Sequence, residues 1–204
     1  RMSRRKAVLR NLPASSTLAG VDVICTDKTG TLTEGKIKLT EILGLTESEL
    51  LPKNSSNEIL ESIILCNDAK DNLGDILDLA LINYAKEKGI DAETIRNLYP
   101  RLDEIPFDSE YKYQATINKF ETQNKIIVKG AFDVLLQKCK FESNSIEKTI
   151  LAKADELAKE GLRILLTATK ETDSEILKPS DIENLSFQSL LVFSDPIRLE
   201  VIDA

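Results

Sequence analysis

The 204 residues include no histidine, one methionine and three cysteines. Without imidazole there is no Ser-His-Asp or Cys-His catalysis and no histidine-ligated zinc. Any reactive group must be a carboxylate, a hydroxyl or a lysine. Cys25, Cys66 and Cys139 are far apart, odd in number and without metal-ligand spacing, which predicts reduced, structural thiols in a cytosolic setting. No window supplies the roughly eighteen consecutive apolar residues that a membrane span needs. The opening RMSRRK is not followed by a signal-peptide core. The chain as given is expected to be soluble. It starts at arginine and stops at VIDA without a stop signal, so a piece of a longer protein is expected.

Positive charge is also in deficit. Lysine and arginine number 27 against 34 acidic residues, giving a net charge of -7 and a pI near 4.9. A nucleic-acid backbone is therefore excluded as the main partner, and any phosphate must be bound locally. With 42% hydrophobic and 30% charged residues the composition is that of a globular chain, long enough for one large domain or two small ones.

Residues 8 to 20 contain LPASSTLAG, a short-helix signal that Gly20 ends. Val21, Val23, Ile24 and Cys25 follow as a short apolar run of the kind buried in a parallel sheet, with a polar loop at its carboxyl end. Open α/β sheets place ligand sites at that edge. From about residue 40 the texture changes. ESELLPKNSSNE reads as linker, while NEILESIILCND and DILDLALINYAKEKG have helical apolar spacing and read as two helices joined by a tight turn. DAETIRNLY is a third short helix, capped by Asp91 with Glu93 in its first turn, and Pro100 closes it.

KYQATINKF and NKIIVKG flank ETQN and predict a hairpin. AFDVLLQKC and SIEKTILAKADELAKEG predict helices, LRILLTATK a strand, and FQSLLVFSDPIR a last apolar strand interrupted by Pro196. The pattern predicts one domain inserted in another. A parallel-sheet domain begins with the strand at 21–26, is left near residue 40 and resumes near residue 187; an antiparallel sheet backed by helices lies between.

Asp27 then stands at the mouth of a parallel strand, before small and hydroxyl residues whose backbone N–H groups suit a phosphate. That placement suits nucleophilic phosphoryl transfer, with Asp27 becoming an acyl phosphate. Thr29 and Thr31 would donate hydrogen bonds to the transferred group, Gly30 permits the close turn, and Lys28 adds positive charge. Such a nucleophile calls for Mg²⁺, ligated by the Asp27 side chain and a neighbouring carbonyl. Residue types alone leave open an Asx-turn aspartate on a solvated threonine loop.

DKTGTLTEGK resembles the phosphorylation-site signature of the P-type (E1–E2) cation-transporting ATPases. The resemblance implies an α/β fold in which a partial Rossmann-like, haloacid-dehalogenase-like phosphorylation domain (residues 1–40, with a preceding stalk segment) carries an inserted α+β nucleotide-binding domain (41–188). A hinge and strand return at 189–204. It makes Asp27 the residue autophosphorylated by ATP. Thr29 becomes the residue giving its carbonyl to Mg²⁺ and its side chain to the γ-phosphate.

Later motifs follow in family order. GDILDLAL resembles the GDPTE-type segment, which makes Asp78 the acidic residue facing the adenine amino group, although Ile76 and Leu77 replace Pro-Thr; by residue type Asp78 is also a polar position on an amphipathic helix. EIPFDSEYKY is similar to the PFxSxRK segment, whose phenylalanine stacks on adenine. It assigns stacking to Phe107 and phosphate contact to Lys112, with Ser109 and Tyr111 where many members carry basic residues; without the family match, Phe107 reads as core and Lys112 as surface. VKGAFDV matches the KGA motif, placing Lys129 at the bottom of the adenosine pocket and Gly130 where the ring approaches the backbone.

GLRIL resembles the GLR segment and makes Arg163 a phosphate contact; the plain alternatives for Lys129 and Arg163 are a solvated strand-edge lysine and a helix-end arginine. SDPIR resembles the DPPR hinge, with Asp195 and Arg198 on the hinge and ribose side and Ile197 in place of the second proline. RMSRRKAVLRNLPASSTLAG looks like the lead-in from the fourth membrane helix, so its basic cluster would lie near the cytoplasmic membrane face.

The resemblance implies ATP and Mg²⁺ as cofactors and a multi-pass membrane parent with this region in the cytoplasm. The transported cation is calcium first, ahead of proton, magnesium or sodium/potassium. The family's TGD, GDGxND and TGE motifs are absent from the sequence, so the chain itself is expected to bind ATP without turnover. Two other classes stay in view. A free-standing phosphatase of the same superfamily normally has a second aspartate two residues after the nucleophile, where Thr29 stands. A non-catalytic nucleotide-binding module would keep Phe107 and Lys129 without the chemistry.

Overall fold

The alternating stretches KYQATINKF and NKIIVKG form the expected hairpin, and five more strands extend it into one antiparallel sheet. A computed structural model describes residues 20–46, 49–54 and 56–202. The strands are β1 (Lys38–Thr46), β2 (Glu49–Pro52), β3 (Arg101–Ile105), β4 (Tyr113–Asn118), β5 (Asn124–Ala131), β6 (Arg163–Thr172) and β7 (Ser186–Ser194). Their spatial order is β2-β1-β7-β6-β5-β4-β3, and every neighbouring pair is antiparallel.

The α-helices are α1 (Asn57–Leu65), α2 (Ile76–Glu87), α3 (Ala92–Leu98), α4 (Phe132–Leu135), α5 (Asn144–Lys159) and α6 (Leu199–Ile202). The cap read from sequence at Asp91 is real, its carboxylate accepting from the Thr94 N–H at 2.8 Å, and Asp75 caps α2 in the same way, accepting from the Leu77 N–H at 2.9 Å. Each satisfies a donor that the first helical turn leaves without a partner.

The chain divides into two compact units, one running from Lys36 to Pro196 and the other formed by the segments before and after it. In the larger unit α1 and α2 cover one sheet face, packing Ile63 and Leu81 against Ile42, Leu191 and Phe193. On the other face Leu135 of α4 and Ile150 of α5 pack with Ile117, Val128 and Leu190. Each fully buried aliphatic side chain contributes about 1.5–3 kcal/mol, so this two-faced core fixes the sheet. No helix among the described residues is long and apolar enough to cross a membrane.

Three expectations are corrected. The run Val21 to Thr26 is not a buried strand: Val23 is 75% and Ile24 83% exposed, because no ladder among the described residues runs beside it and a buried strand requires neighbours on both edges. The final run FQSLLVFS does not resume a parallel sheet. It is β7, between β1 and β6, and its continuous apolar texture reflects cover on both faces, with Leu190 in one core and Leu191 in the other. The expected boundaries after residues 40 and 188 therefore fall inside β1 and β7. Finally, the supposed linker after residue 46 holds β2, which hydrogen-bonds back along β1 with Leu43 opposite Pro52. The short helix expected within 8–20 and the basic opening segment lie outside the described residues, apart from Gly20.

Candidate functional site

Strand register builds a polar row across the middle of the face covered by α1 and α2. Gln114 on β4 lies opposite Lys129 on β5, Lys129 opposite Thr167 on β6, and Thr167 opposite Ser189 on β7. All four are buried. Buried polar groups need partners, and these have them: the Thr167 and Ser189 hydroxyls lie 2.7 Å apart, Gln114 Nε2 donates to Asp68 Oδ2 at 2.6 Å, and the Lys129 ammonium donates to the Asp78 carboxylate.

Asp78 stands in the first turn of α2, where the helix dipole favours negative charge. Its carboxylate also accepts from the Asp68 N–H at 3.3 Å, and its carbonyl accepts from Asn67 Nδ2 at 3.0 Å. The loop after α1 that brings Asn67 and Asp68 here is pinned from outside. Arg101 donates to Leu65 O (2.8 Å) and Asn67 O (3.0 Å), and Arg96 to Asn67 O (2.9 Å) and Ala69 O (3.0 Å). Burial pushes the Cys66 thiol beside them up to about 11.

Gly130 follows Lys129 and has a reason other than the expected room for a ring. A Cβ there would lie 2.6 Å from Lys112 O and 2.7 Å from Tyr113 Cα, so the glycine admits the start of β4. The Ala131 N–H closes that approach by donating to Lys112 O at 2.9 Å. Lys112 itself has φ of +57°. Its half-exposed side chain lies 3.9 Å from Asp133.

Phe107 is 65% exposed in the β3–β4 connection, which rules out the core reading of that ring. Arg163 is exposed at the first position of β6, two residues from Leu165 and four from Thr167. With period two it shares a sheet face with Lys129. Asp195 is half-buried just after β7. The structure thus joins Asp78 to Lys129, sets Gly130 against Lys112, and leaves Phe107 and Arg163 presented to solvent. Sequence reasoning missed Asn67, Asp68, Gln114, Thr167 and Ser189. The polar CND closing an apolar helix was the legible signal for the first two.

In the smaller unit, exposed Asp27 precedes a π-helical turn at Lys28–Leu32 that contains Thr29 and Thr31. Gly30 adopts φ of +76° inside it, a conformation that favours glycine. Thr33, buried and unremarked in the sequence, stitches the turn: its hydroxyl accepts from the Gly30 N–H at 2.9 Å and donates to Lys28 O at 3.2 Å. Arg198 closes it from the far end of the chain, donating from Nη2 to Gly30 O (3.2 Å) and from its backbone N–H to Leu32 O (2.9 Å). Its exposed guanidinium thus has one donor engaged with the loop. The Thr29 side chain lies outside the described residues.

Residues 55–200 match the family model for "P-type ATPase, cytoplasmic domain N". The calcium-transporting ATPase 1 of Lactococcus lactis subsp. lactis is 36% identical over all of this chain and 26% of its own length. The calcium-transporting ATPase 1 of Bacillus cereus is 32% identical over all of the chain and 25% of its own length. The cation-transporting ATPase pma1 of Synechocystis sp. is 32% identical over all of the chain and 27% of its own length. The chain thus spans about a quarter of the length of these curated relatives. A family model that covers the Asp78–Lys129 face, and relatives aligned through DKTGT as well, show that the chain belongs to the P-type cation-transporting ATPases.

Proposed function

We propose that this chain binds ATP on the larger unit and carries in Asp27 the aspartate that ATP phosphorylates, within a membrane pump that moves a cation. The observation that carries the reading is the buried Lys129–Asp78 pair, set in a polar row on an otherwise apolar face. Burying charge there costs stability, so a ligand-recognition role accounts for it better than packing does. The exposed Phe107 ring offers adenine a stacking surface, worth about 1–3 kcal/mol per base in single-stranded nucleic acids. Asp78 reads the adenine amino group and Lys129 borders the adenosine. Lys112 and Arg163 supply charge for the phosphates, with Asp195 and Arg198 on the hinge side.

In the chemical step a carboxylate oxygen of Asp27 forms a bond to the γ-phosphorus, the bond to the bridging oxygen breaks, and ADP leaves with the electron pair. Water later cleaves the acyl phosphate. The donor set fits Mg²⁺: the Asp27 carboxylate and the Thr29 carbonyl are hard oxygen donors that would hold the ion. When bound, the ion offsets the repulsion between carboxylate and polyphosphate. Thr33 and Arg198 hold the loop that presents Asp27. The smaller unit would be part of a haloacid-dehalogenase-like phosphorylation domain. The region would lie in the cytoplasm, tied to the membrane by parts outside this chain. Calcium is the first choice of ion, supported by the names of the Lactococcus and Bacillus relatives.

Calorimetric titration with ATP and AMP, beside Phe107→Ala and Lys129→Ala, tests the binding. Comparable affinity for both nucleotides, lost in both variants, supports an adenosine-reading site; no binding at millimolar concentration removes the assignments to the larger unit. For the chemistry, the full-length protein should take label from γ-labelled ATP in a hydroxylamine-sensitive form that Asp27→Asn abolishes. Absence of label under ion-loaded conditions would favour the non-catalytic module.

A further inference from the structure

Alongside the Asn67–Asp68 loop, which bonds to Asp78, a cleft of about 380 Å³ lies among α3, that loop and the start of β3. Lys70, Arg96, Arg101 and Tyr99 form part of its wall, together with Asp68 and Glu104. Phe107, Lys129 and Arg163 do not line it. On a chain of net charge -7, where most of the surface repels anions, three cations in one cleft run against the background.

The two guanidiniums are not equivalent. Arg101 forms ion pairs with both carboxylates of the cleft, Asp68 and Glu104. Arg96 bonds only to carbonyls, through Nη2, and among the described residues it has no carboxylate partner. Its Nε–H is shut off from solvent and meets no acceptor. A buried donor left without a partner is a standing cost to this part of the fold. Partial burial, then the neighbouring charge of Arg101, draw the Arg96 guanidinium below its ordinary value, against the opposing pull of Asp68 and Asp78. Three cations facing two carboxylates leave one positive charge in excess on the wall.

We propose that this cleft is an anion site for a small phosphate dianion, free or as a monoester, held by Arg96 with Arg101 beside it and Lys70 at the rim. Planar guanidiniums match the paired oxygens of phosphate, and two adjacent ones favour a doubly charged ligand over a singly charged carboxylate. The cleft shares no side chain with the residues assigned to the nucleotide, although its Asn67 and Asp68 hydrogen-bond to Asp78.

The test follows the Nε–Hε resonances of the arginines and the amides of Ala69 and Lys70 by NMR in the whole chain. Inorganic phosphate is titrated against chloride at equal ionic strength. Saturable shifts confined to these groups, weakened at least about tenfold in Arg96→Gln, support the site. Glycerol 3-phosphate in a second arm separates the sources: tighter binding assigns a monoester, equal binding the free ion. Shifts that match chloride, that centre on Phe107 and Lys129, or that persist in Arg96→Gln overturn it. Should Arg96→Gln not fold, Lys70→Gln at the exposed rim replaces it, with an expected loss of about threefold; unchanged affinity there overturns the proposal equally.

Discussion

Lys129 on β5 and Asp78 on α2 form an ion pair whose side chains are 7% and 12% exposed, and it ties the sheet to the helix that covers it. Removing one member strands the other charge in a region from which water is largely excluded. Asp78→Asn and Lys129→Met should each lower the unfolding free energy by about 3–5 kcal/mol, and the double variant by less than the sum. Urea denaturation measures this. Single losses below about 1 kcal/mol would mean that water screens the pair as it does at a surface.

The close pass at Gly130 gives a second prediction. In Gly130→Ala the new Cβ meets Lys112 O and the Tyr113 backbone well inside contact distance, and neither is the far end of a flexible side chain. The first residues of β4 must shift, at about 1–3 kcal/mol, carrying Lys112 with them. Thermal denaturation should show the loss and calorimetry a weaker ATP affinity. A variant as stable as the parent with the same affinity sinks the idea.

Lys112 holds φ of +57° without being glycine. The left-handed region costs an L-residue roughly 1–2 kcal/mol, and glycine gives back about 0.5–1 kcal/mol of that in chain entropy. Lys112→Gly should therefore leave stability unchanged or raise it by up to about 1.5 kcal/mol, while ATP affinity falls for want of the ammonium. A clear loss of stability would show that the side chain, and its 3.9 Å approach to Asp133, matters more than the backbone.

What was legible in the sequence was local. The cap at Asp91 and the β4–β5 hairpin rest on interactions between near neighbours, and they appeared where the residue types put them. β7 misled because an antiparallel strand covered by helices on both faces has the same unbroken apolar texture as a parallel one. β1 was lost because its partner on one side is β7, far along the chain. The site divides in the same way. Asp78 and Lys129 were named through motif resemblance, but Gln114 reaches its role through Asp68, 46 positions earlier, and Arg198 through Gly30, 168 positions earlier. Spacing along a chain does not encode such contacts.

Acid should act on two carboxylates. Backbone N–H bonds, that of Leu177 first and Glu104 next, hold Asp103 below its ordinary value of 3.8. The Thr94 hydroxyl and N–H do the same for Asp91. A folded value below the unfolded one means that the contribution is fully present above about pH 4 and is lost as pH falls through the folded value. Stability followed from pH 6 down to 2 should drop less steeply in Asp103→Asn than in the parent, because Asn cannot titrate and the strap from β3 to Leu177 no longer depends on protonation. Parallel curves in the two proteins would dismiss Asp103 as a contributor.

The three free cysteines should separate by reactivity. Cys25 is exposed, whereas Cys66 is buried and Cys139 half-buried. Desolvation pushes the last two thiols up to about 11 and about 12. Only the thiolate attacks an alkylating agent, so near pH 8 a thiol titrating at about 11 is ionised roughly one part in a thousand. Iodoacetamide should label Cys25 first. Cys66, whose Sγ donates to Gln114 O beneath the polar row, should react only when α1 and β4 separate, so its labelling rate in urea reports opening of that face. Peptide mass spectrometry of a timed reaction gives the order. Native-state labelling of Cys66 as fast as that of Cys25 would mean that the face opens far more readily than its buried ion pair and hydrogen bonds allow.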